Sequence, residues 1–228
     1  MANCQQCITR QFNALQKLSK SQLKTISDTK TQTVFEKGDV VFEEGANLNG
    51  IYCVSAGSCK LSKLSSNGKD QIVRFVREGE LLGYRSVIGE EPAGLTVTAL
   101  EEMQACFISK EEVFEMLKTN PNFSLDIFKT ACHDLQMANT ALTNMAQKSV
   151  RERLANTLLF LKKIFGLDAD DNINVQLSRE EIANVIGTAT ESAIRLLSEF
   201  KKEELIVLKG KKIKILDYKG LERIGLGF

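Results

Sequence analysis

Between residues 32 and 110, apolar and polar positions alternate in short runs that glycines separate. Four of these runs are Val40–Phe42, Ile51–Val54, Cys59–Leu61 and Ile72–Val76. Short runs at regular spacing with turn residues between them predict an antiparallel barrel or sandwich. Asn67-Gly68 predicts a hairpin turn before the fourth run, because both residues tolerate positive φ. The chain up to about residue 110 is therefore expected to be mostly β.

After residue 110 the pattern takes on a helical period. Lys110–Lys118 predicts a short helix, and Asn120-Pro121 predicts a new helical start, because proline is tolerated in a first turn. A long helix is predicted to about Gln147, with small or apolar residues at alternating spacings of four and three. These residues are Ala131, Leu135, Ala138, Leu142 and Met145. Two interpretations stay open: the helix packs on its own β domain, or two copies meet along these residues in a homodimer.

The C-terminal third predicts two short helices joined by a tight turn. An amphipathic helix from Arg151 to Phe165 and a short strand at Val175–Leu177 come first. Ser178 and Glu181 have capping-box spacing and predict a helix that Gly187 ends. The same spacing recurs from Thr188 to Glu191 and predicts a second helix, Thr188–Phe200. Two helices joined at a glycine-containing turn are typical of a helix-turn-helix.

A predicted hairpin, Leu205–Leu208 and Lys212–Leu216, follows this helix pair as a wing. The net charge of +1 does not by itself indicate a nucleic-acid partner, but four lysines crowd this hairpin: Lys209, Lys211, Lys212 and Lys214. No apolar run approaches the ~18–20 residues that cross a bilayer, and Met1–Cys4 lacks the basic start of a signal peptide. We therefore expect a cytoplasmic protein with no membrane partner.

An enzyme is the weakest interpretation of this sequence. Its single histidine, His133, excludes any site that needs two. There is no glycine-rich phosphate loop and no nucleophile beside a base. The six cysteines are expected to be thiols or ligands rather than structural disulfides.

Several of these segments occur in the order and at the spacing of one family. They are the glycine-punctuated β region, Gly79–Tyr84, Asn120-Pro121, Arg151–Leu154 and the run from Leu177 to Leu197. With them the chain resembles, over residues 1–228, the Crp/Fnr superfamily of bacterial transcription regulators. The resemblance implies an α+β fold, with an N-terminal antiparallel β-roll like that of cyclic-nucleotide-binding domains, a long dimerisation helix and a C-terminal winged helix-turn-helix. We place the divisions at 1–119, 120–147 and 148–228. Implied partners are double-stranded DNA, a second copy of the chain and RNA polymerase.

In a helix-turn-helix, the second helix enters the major groove with its N-terminal residues towards the bases. Glu191 and Arg195 are one turn apart and share a face. Arginine can donate two hydrogen bonds to guanine, and glutamate can accept one from cytosine. By resemblance, these two residues match the family's base-reading pair. Two alternatives remain: Glu191 caps the helix, or the two residues form a surface salt bridge. A ligand- or redox-responsive module that docks on proteins rather than DNA also remains open.

Other residues complete the predicted DNA-binding set. Thr188, Thr190 and Ser192 lie near the start of the second helix. Ser178, Arg179 and Lys211 are assigned to phosphates, which set the register without reading sequence.

The resemblance also bears on the signal. Cyclic-AMP-binding members carry a glutamate for the ribose and an arginine for the phosphate; the matching positions here read Gly83-Tyr84-Arg85 and Ala93-Gly94. A buried phosphate without a cation is costly, so cyclic AMP is not expected to bind in the usual way. Arg85 either meets an anion from another direction or is solvated. The candidate effector pocket comprises Gly83, Tyr84, Arg85, Ser86 and Asn139.

Oxygen-sensing members of the Fnr branch hold a [4Fe–4S] cluster with three N-terminal cysteines and one in the β-roll. Cys4 and Cys7 match the first two ligands and Cys106 the distant one, but the third position is Asn13. Only three thiolates then remain where four are usual. Three roles stay open: a cluster or metal site, a thiol redox switch through Cys4 and Cys7, or no sensing role.

Overall fold

A computed structural model describes residues 4–65 and 68–227. The first three residues and Asn67 of the predicted turn lie outside this range, whereas Gly68 has a φ of 78°. The chain divides into two compact units. One comprises Met1–Lys63 with Val73–Met137, and the other Leu64–Ile72 with Ala138–Phe228.

The β-roll consists of two four-stranded sheets, in the orders β1-β8-β3-β6 and β2-β7-β4-β5. Every strand pair whose register is known is antiparallel. The strands are β1 Thr31–Phe35, β2 Val40–Phe42, β3 Gly50–Ala56, β4 Ser58–Leu64, β5 Asp70–Arg77, β6 Leu81–Leu82, β7 Thr96–Ala99 and β8 Met103–Ser109. The predicted antiparallel β-roll is confirmed.

The central strands bury both of their faces. On β3, Ile51 and Cys53 pack into one apolar cluster, whereas Val54 packs into a second one. The first cluster is closed by helices of the same unit, and Phe123 and Ile127 are buried in it. Burial on both faces explains why β3 and β8 contain no charged residue.

Helices and short 3-10 turns flank the β-roll. The 3-10 turns are Thr9–Phe12 and Ala14–Lys17, and the helices are α1 Lys20–Thr29, α2 Tyr84–Gly89, α3 Lys110–Thr119 and α4 Pro121–Gln147. Helix α4 begins at Asn120-Pro121 as predicted, because Asn120 Oδ1 accepts a hydrogen bond from the Phe123 N–H at 3.0 Å.

The C-terminal unit has the predicted winged helix-turn-helix. Its elements are α5 Val150–Phe165, α6 Arg179–Ile186, α7 Thr190–Lys202, β9 Ile206–Lys209, β10 Lys212–Ile215 and α8 Tyr218–Gly225. Leu158, Ile182, Leu197 and Phe200 are fully buried between the helices. Strands β9 and β10 pair antiparallel and form the wing.

Two local predictions in this unit are wrong. Val175–Leu177 is not a strand, because the Val175 N–H turns back to the Ile173 carbonyl at 2.8 Å. Ile173 bonds to β10 instead, through its N–H to the Ile213 carbonyl.

The second predicted capping box does not form, and α7 spans Thr190–Lys202 rather than Thr188–Phe200. Thr188 still belongs to the turn, since its N–H bonds to the Ala183 carbonyl at 3.1 Å. Ala189 is the N-cap and has no side chain that could accept a hydrogen bond.

Within the described ranges, none of the helices is both long and apolar enough to traverse a lipid bilayer.

Candidate functional sites

The turn between α6 and α7 is built from local sequence. The Ser178 hydroxyl accepts the Glu181 N–H at 3.0 Å, and the Glu181 carboxylate accepts the Ser178 N–H at 2.8 Å, which completes the predicted capping box. Gly187 ends α6 with a φ of 64°, in the left-handed region where glycine carries no steric penalty. The second helix is thereby fixed relative to the first.

One arginine holds this turn against the end of α4. Arg153 Nε donates to the Ile186 carbonyl at 2.8 Å, and its Nη1 donates to the Lys148 carbonyl at 2.7 Å. Longer contacts reach the carbonyls of Met145 and Gly187, at 3.3 and 3.4 Å. A single guanidinium therefore satisfies backbone acceptors on two elements, because its donors lie in a rigid fork.

Helix α7 presents a polar face to solvent. Glu191 is exposed, and the Arg195 side chain is 74% exposed, with its Nε 3.9 Å from Glu199 Oε1. Among the described residues Glu191 neither caps the helix nor pairs with Arg195. Thr190 and Ser192, at the start of the same helix, are half-buried.

The same face carries an exposed apolar residue that was not among the predicted DNA-binding residues. Ile194 is 46% exposed, between Glu191 and Arg195 on the outer surface of α7. The helical period could have identified it, since it lies three positions after Glu191.

The predicted phosphate contacts have different surroundings. Arg179 Nη2 donates to the Gly210 carbonyl at 2.7 Å and so ties α6 to the tip of the wing. Its Nη1 is buried without a partner in the described chain, and burial lowers the pKa of Arg179. Lys211 is exposed at the wing tip.

Acidic residues form ion pairs with two of the four wing lysines. Lys212 Nζ lies 3.0 Å from Asp168 Oδ2, and Lys214 Nζ lies 2.9 Å from Asp171 Oδ2. The side chain of Asn172, with further hydrogen bonds, lowers the pKa of Asp168 well below its usual value. Within the described ranges, Lys209 and Lys211 have no such ion pair.

In the β-roll, the predicted effector residues are largely engaged or solvated. The Tyr84 hydroxyl donates to Asp134 Oδ2 at 2.6 Å, and Arg74 bridges that carboxylate and Glu80. Burial, and then this hydrogen bond, raise the pKa of Tyr84, so the phenol stays a donor. Gly83 precedes α2 with a φ of 78°, Ser86 Oγ lies 3.5 Å from the Pro92 carbonyl, and Arg85 and Asn139 are exposed.

The residues near the thiols do not fit a four-thiolate cluster. Asn13 Nδ2, at the expected third ligand position, donates to the Gly79 carbonyl at 2.8 Å and lies 3.6 Å from Cys53 Sγ. The ammonium of Lys30 lies 3.5 Å from Cys106 Sγ, on the sulfur that would have to bind iron. Among residues 4–65 and 68–227, no three His, Cys, Asp or Glu side chains are grouped to hold a metal ion.

Comparison with known proteins gives matches to both units. A model of the cyclic nucleotide-binding domain matches residues 32–120, and a model of the Crp-like helix-turn-helix domain matches residues 152–224. The transcriptional activator protein Anr of Pseudomonas protegens is 29% identical over 80% of this chain and 75% of its own length. The fumarate and nitrate reduction regulatory protein of Vibrio cholerae is 26% identical, over 95% and 87%.

A solved structure shows the same fold. The crystal structure of a Crp/Fnr-family regulator from Eubacterium rectale superposes with a TM-score of 0.77 at 22% identity, covering 92% of this chain and 96% of that one. The β-roll, the long helix and the winged helix-turn-helix, together with the two domain models and the regulator relatives, show that this chain belongs to the Crp/Fnr family of transcription regulators and carries a helix-turn-helix DNA-binding domain.

Proposed function

We propose that this regulator is a homodimer that reads a palindromic DNA site through α7, with Glu191 and Arg195 facing the bases. The observation that carries the proposal is the exposed Arg195 side chain, on the second helix of the helix-turn-helix and one turn from an exposed Glu191. An arginine in this position can make two hydrogen bonds to guanine, each pair worth ~1–3 kcal/mol of discrimination. Ile194 on the same face suits contact with a thymine methyl group.

Phosphate contacts are proposed at the wing and at α6. Lys211 is the better placed of the predicted contacts, because it is exposed and carries no ion pair in the described chain. Arg179 acts by holding the wing tip through Gly210. Ser178 contributes through the start of α6, whose first turn it caps. Thr188, Thr190 and Ser192 border the same surface.

Dimer formation is supported by an apolar line on α4, here called the α4 seam: Leu125, Phe128, Leu135 and Leu142. These side chains are 51%, 66%, 63% and 70% exposed, and they follow spacings of three and seven. Paired helices bury such a line against each other. Of the predicted interface residues, Leu135 and Leu142 belong to the seam and Ala138 is exposed, whereas Ala131 packs partly on its own core and Met145 lies beside Gly187.

The two-fold symmetry of such a dimer defines the expected site. Two copies of α7 must lie about one helical turn, ~34 Å, apart to enter successive major grooves. The half-sites are therefore expected to be inverted repeats. RNA polymerase is the further partner that the family implies.

We do not expect cyclic AMP to bind this chain in the way that is usual for the family. The family's glutamate and arginine positions read Tyr84-Arg85 and Ala93-Gly94 in this chain. The half-buried cation of this region, Arg74, is already paired with Glu80 and Asp134. A cyclic phosphate would have to compete with both carboxylates for it, which costs desolvation and an ion pair.

Selection of DNA from a random pool, with and without air, tests the proposal. We expect inverted repeats to be enriched by the wild-type protein, and a dimer in sedimentation that Leu135→Asp converts to a monomer. Failure to enrich any sequence, with no salt-dependent DNA affinity, would favour the protein-docking alternative and contradict the proposal.

A further inference from the structure

Four thiols lie around one end of the β-roll core. Cys53 and Cys106 are direct neighbours across β3 and β8, and both are buried in the same apolar cluster. Cys4 packs against this cluster, and its N–H donates to Ser27 Oγ at 2.8 Å. Cys7 is half-buried and follows Cys4 in the same turn.

A buried lysine contacts one of these thiols. Lys30 is only 5% exposed, and in the described part of the chain its ammonium has no carboxylate partner. It lies 3.5 Å from Cys106 Sγ. Buried ammonium groups are rare unless they are paired. Cys106 Sγ is therefore a partner of this ammonium, and burial raises the pKa of Cys106 above its ordinary value in spite of the opposing effect of Lys30.

The two N-terminal cysteines are already positioned for a bond between them. The Cys7 N–H donates to the Cys4 carbonyl across a turn, with 3.4 Å between nitrogen and oxygen. A turn of this kind holds its first and last Cα atoms within about 7 Å, and disulfides span Cα separations of about 4.4–6.8 Å. Cys7 Sγ also lies 3.0 Å from Thr9 Oγ1, which can donate to a thiolate.

We propose that Cys4 and Cys7 form a dithiol–disulfide redox centre that a peroxide oxidises. The Cys7 thiolate attacks one peroxide oxygen, the O–O bond breaks, and water leaves as Cys7 becomes a sulfenic acid. The Cys4 thiol then attacks the Cys7 sulfur, the S–S bond forms, and a second water leaves. Two thiols lose two electrons and two protons in total, and hydrogen peroxide takes them up.

Cys7 is the attacking group because it is the accessible thiol with a hydroxyl donor on its sulfur, whereas Cys53 and Cys106 are buried. Cys4 is the resolving group because the turn brings it to Cys7. Oxidation ties Cys4, which packs against the cluster that contains Cys53 and Cys106, to Cys7, so the packing of the N-terminal segment on this cluster is expected to change.

Peptide mapping tests the proposal without reference to DNA binding. Reduced protein is exposed to stoichiometric hydrogen peroxide, blocked with N-ethylmaleimide and digested with trypsin, which leaves both cysteines on the peptide that ends at Arg10. We expect this peptide to lose two hydrogen atoms and to escape blocking, in the wild type and in the control Cys132→Ser. Cys132 is exposed on α4.

The single variants separate the two roles. Cys4→Ser is expected to accumulate a Cys7 sulfenic acid that dimedone traps, and Cys7→Ser to slow peroxide consumption about tenfold or more. The proposal is overturned if Cys4 and Cys7 of the wild type remain fully alkylated after peroxide. Stable binding of iron and sulfide after anaerobic reconstitution, lost in both variants, would overturn it as well.

Discussion

Tyr84 on α2 donates its hydroxyl hydrogen bond to Asp134 on α4, with 2.6 Å between the two oxygen atoms. Tyr84 is 4% exposed and the Asp134 side chain 13%, so the bond is largely shielded from water. Arg74 contacts the same carboxylate and also pairs with Glu80 at 2.6 Å. A strand, a short helix and the long helix therefore meet at one carboxylate.

Replacing Tyr84 by phenylalanine is expected to destabilise the protein. The change removes one donor to a mostly buried carboxylate, and hydrogen bonds to charged groups contribute about 1.5–3 kcal/mol. Urea unfolding measures the free energy difference. Tyr218→Phe is the matched control, because Tyr218 is 43% exposed and the change should cost about 0.5 kcal/mol or less. Equal effects of the two substitutions would contradict a structural role for the Asp134 contact.

Replacing Arg153 by methionine is expected to loosen the helix-turn-helix. The part-buried carbonyl oxygens of Ile186 and Lys148 lose their donor, and buried acceptors without partners cost about 1–3 kcal/mol. Thermal unfolding should show this loss, together with weaker DNA binding. Arg223→Met is the control, because Arg223 is exposed on α8 and has no side-chain hydrogen bond or ion pair in the part of the chain that the structure describes, so the change should cost about 0.5 kcal/mol or less.

The wing lysines are expected to differ in their effect on DNA binding. Lys211→Ala should reduce the salt dependence of the association constant by about one per subunit, because a phosphate contact is lost. Lys212→Ala should change it little, since Asp168 neutralises Lys212 at 3.0 Å. Titrations at several salt concentrations give both slopes. Equal slopes for the two variants would contradict the idea that the ion pair with Asp168 keeps Lys212 from contacting a phosphate.

Local chemistry made some of these features predictable. The capping box at Ser178 and the glycine at 187 identify the turn because each acts within a few residues. The predicted start of α7 lies two residues before the observed one, because the Thr188 N–H bonds to α6 and the Thr188 side chain does not cap the next helix. The spacing of Thr188 and Glu191 fits a capping box, but the hydrogen bonds of a capping box do not form there.

Contacts between residues that are far apart in the sequence could not be predicted from the sequence pattern. Lys212 and Asp168 are 44 positions apart, and no local rule pairs them. The spacing of apolar residues on α4 did not show which side faces the β-roll, so Phe128 was missed although it is 66% exposed. The contact of Lys30 with Cys106 depends on how α1 leads into β1, which periodicity does not determine.

The reactivity of Cys7 is expected to depend on pH through Thr9. Burial alone would raise the pKa of the Cys7 thiol, but hydrogen bonds from the Thr9 hydroxyl and from the backbone at Arg10 and Thr9 lower it below its ordinary value. Alkylation by iodoacetamide should therefore rise with pH through a midpoint below the ordinary pKa of a cysteine thiol. Thr9→Val should move the midpoint upwards, and Thr9→Ser should restore it. An unchanged midpoint in Thr9→Val would show that the hydroxyl does not stabilise the thiolate.

The base-reading role of Arg195 is the central claim, and a specificity ratio measures it most directly. Binding to the selected palindrome is compared with binding to a scrambled duplex at fixed salt, for the wild type, Arg195→Ala and Ser198→Ala. Ser198 lies on the same helix face, but its hydroxyl is already bonded to the Ile194 carbonyl at 2.9 Å. We predict that Arg195→Ala loses about 1–3 kcal/mol of discrimination per half-site and keeps weak, salt-sensitive binding, whereas Ser198→Ala keeps the full ratio. An Arg195→Ala protein with the wild-type ratio would contradict the account.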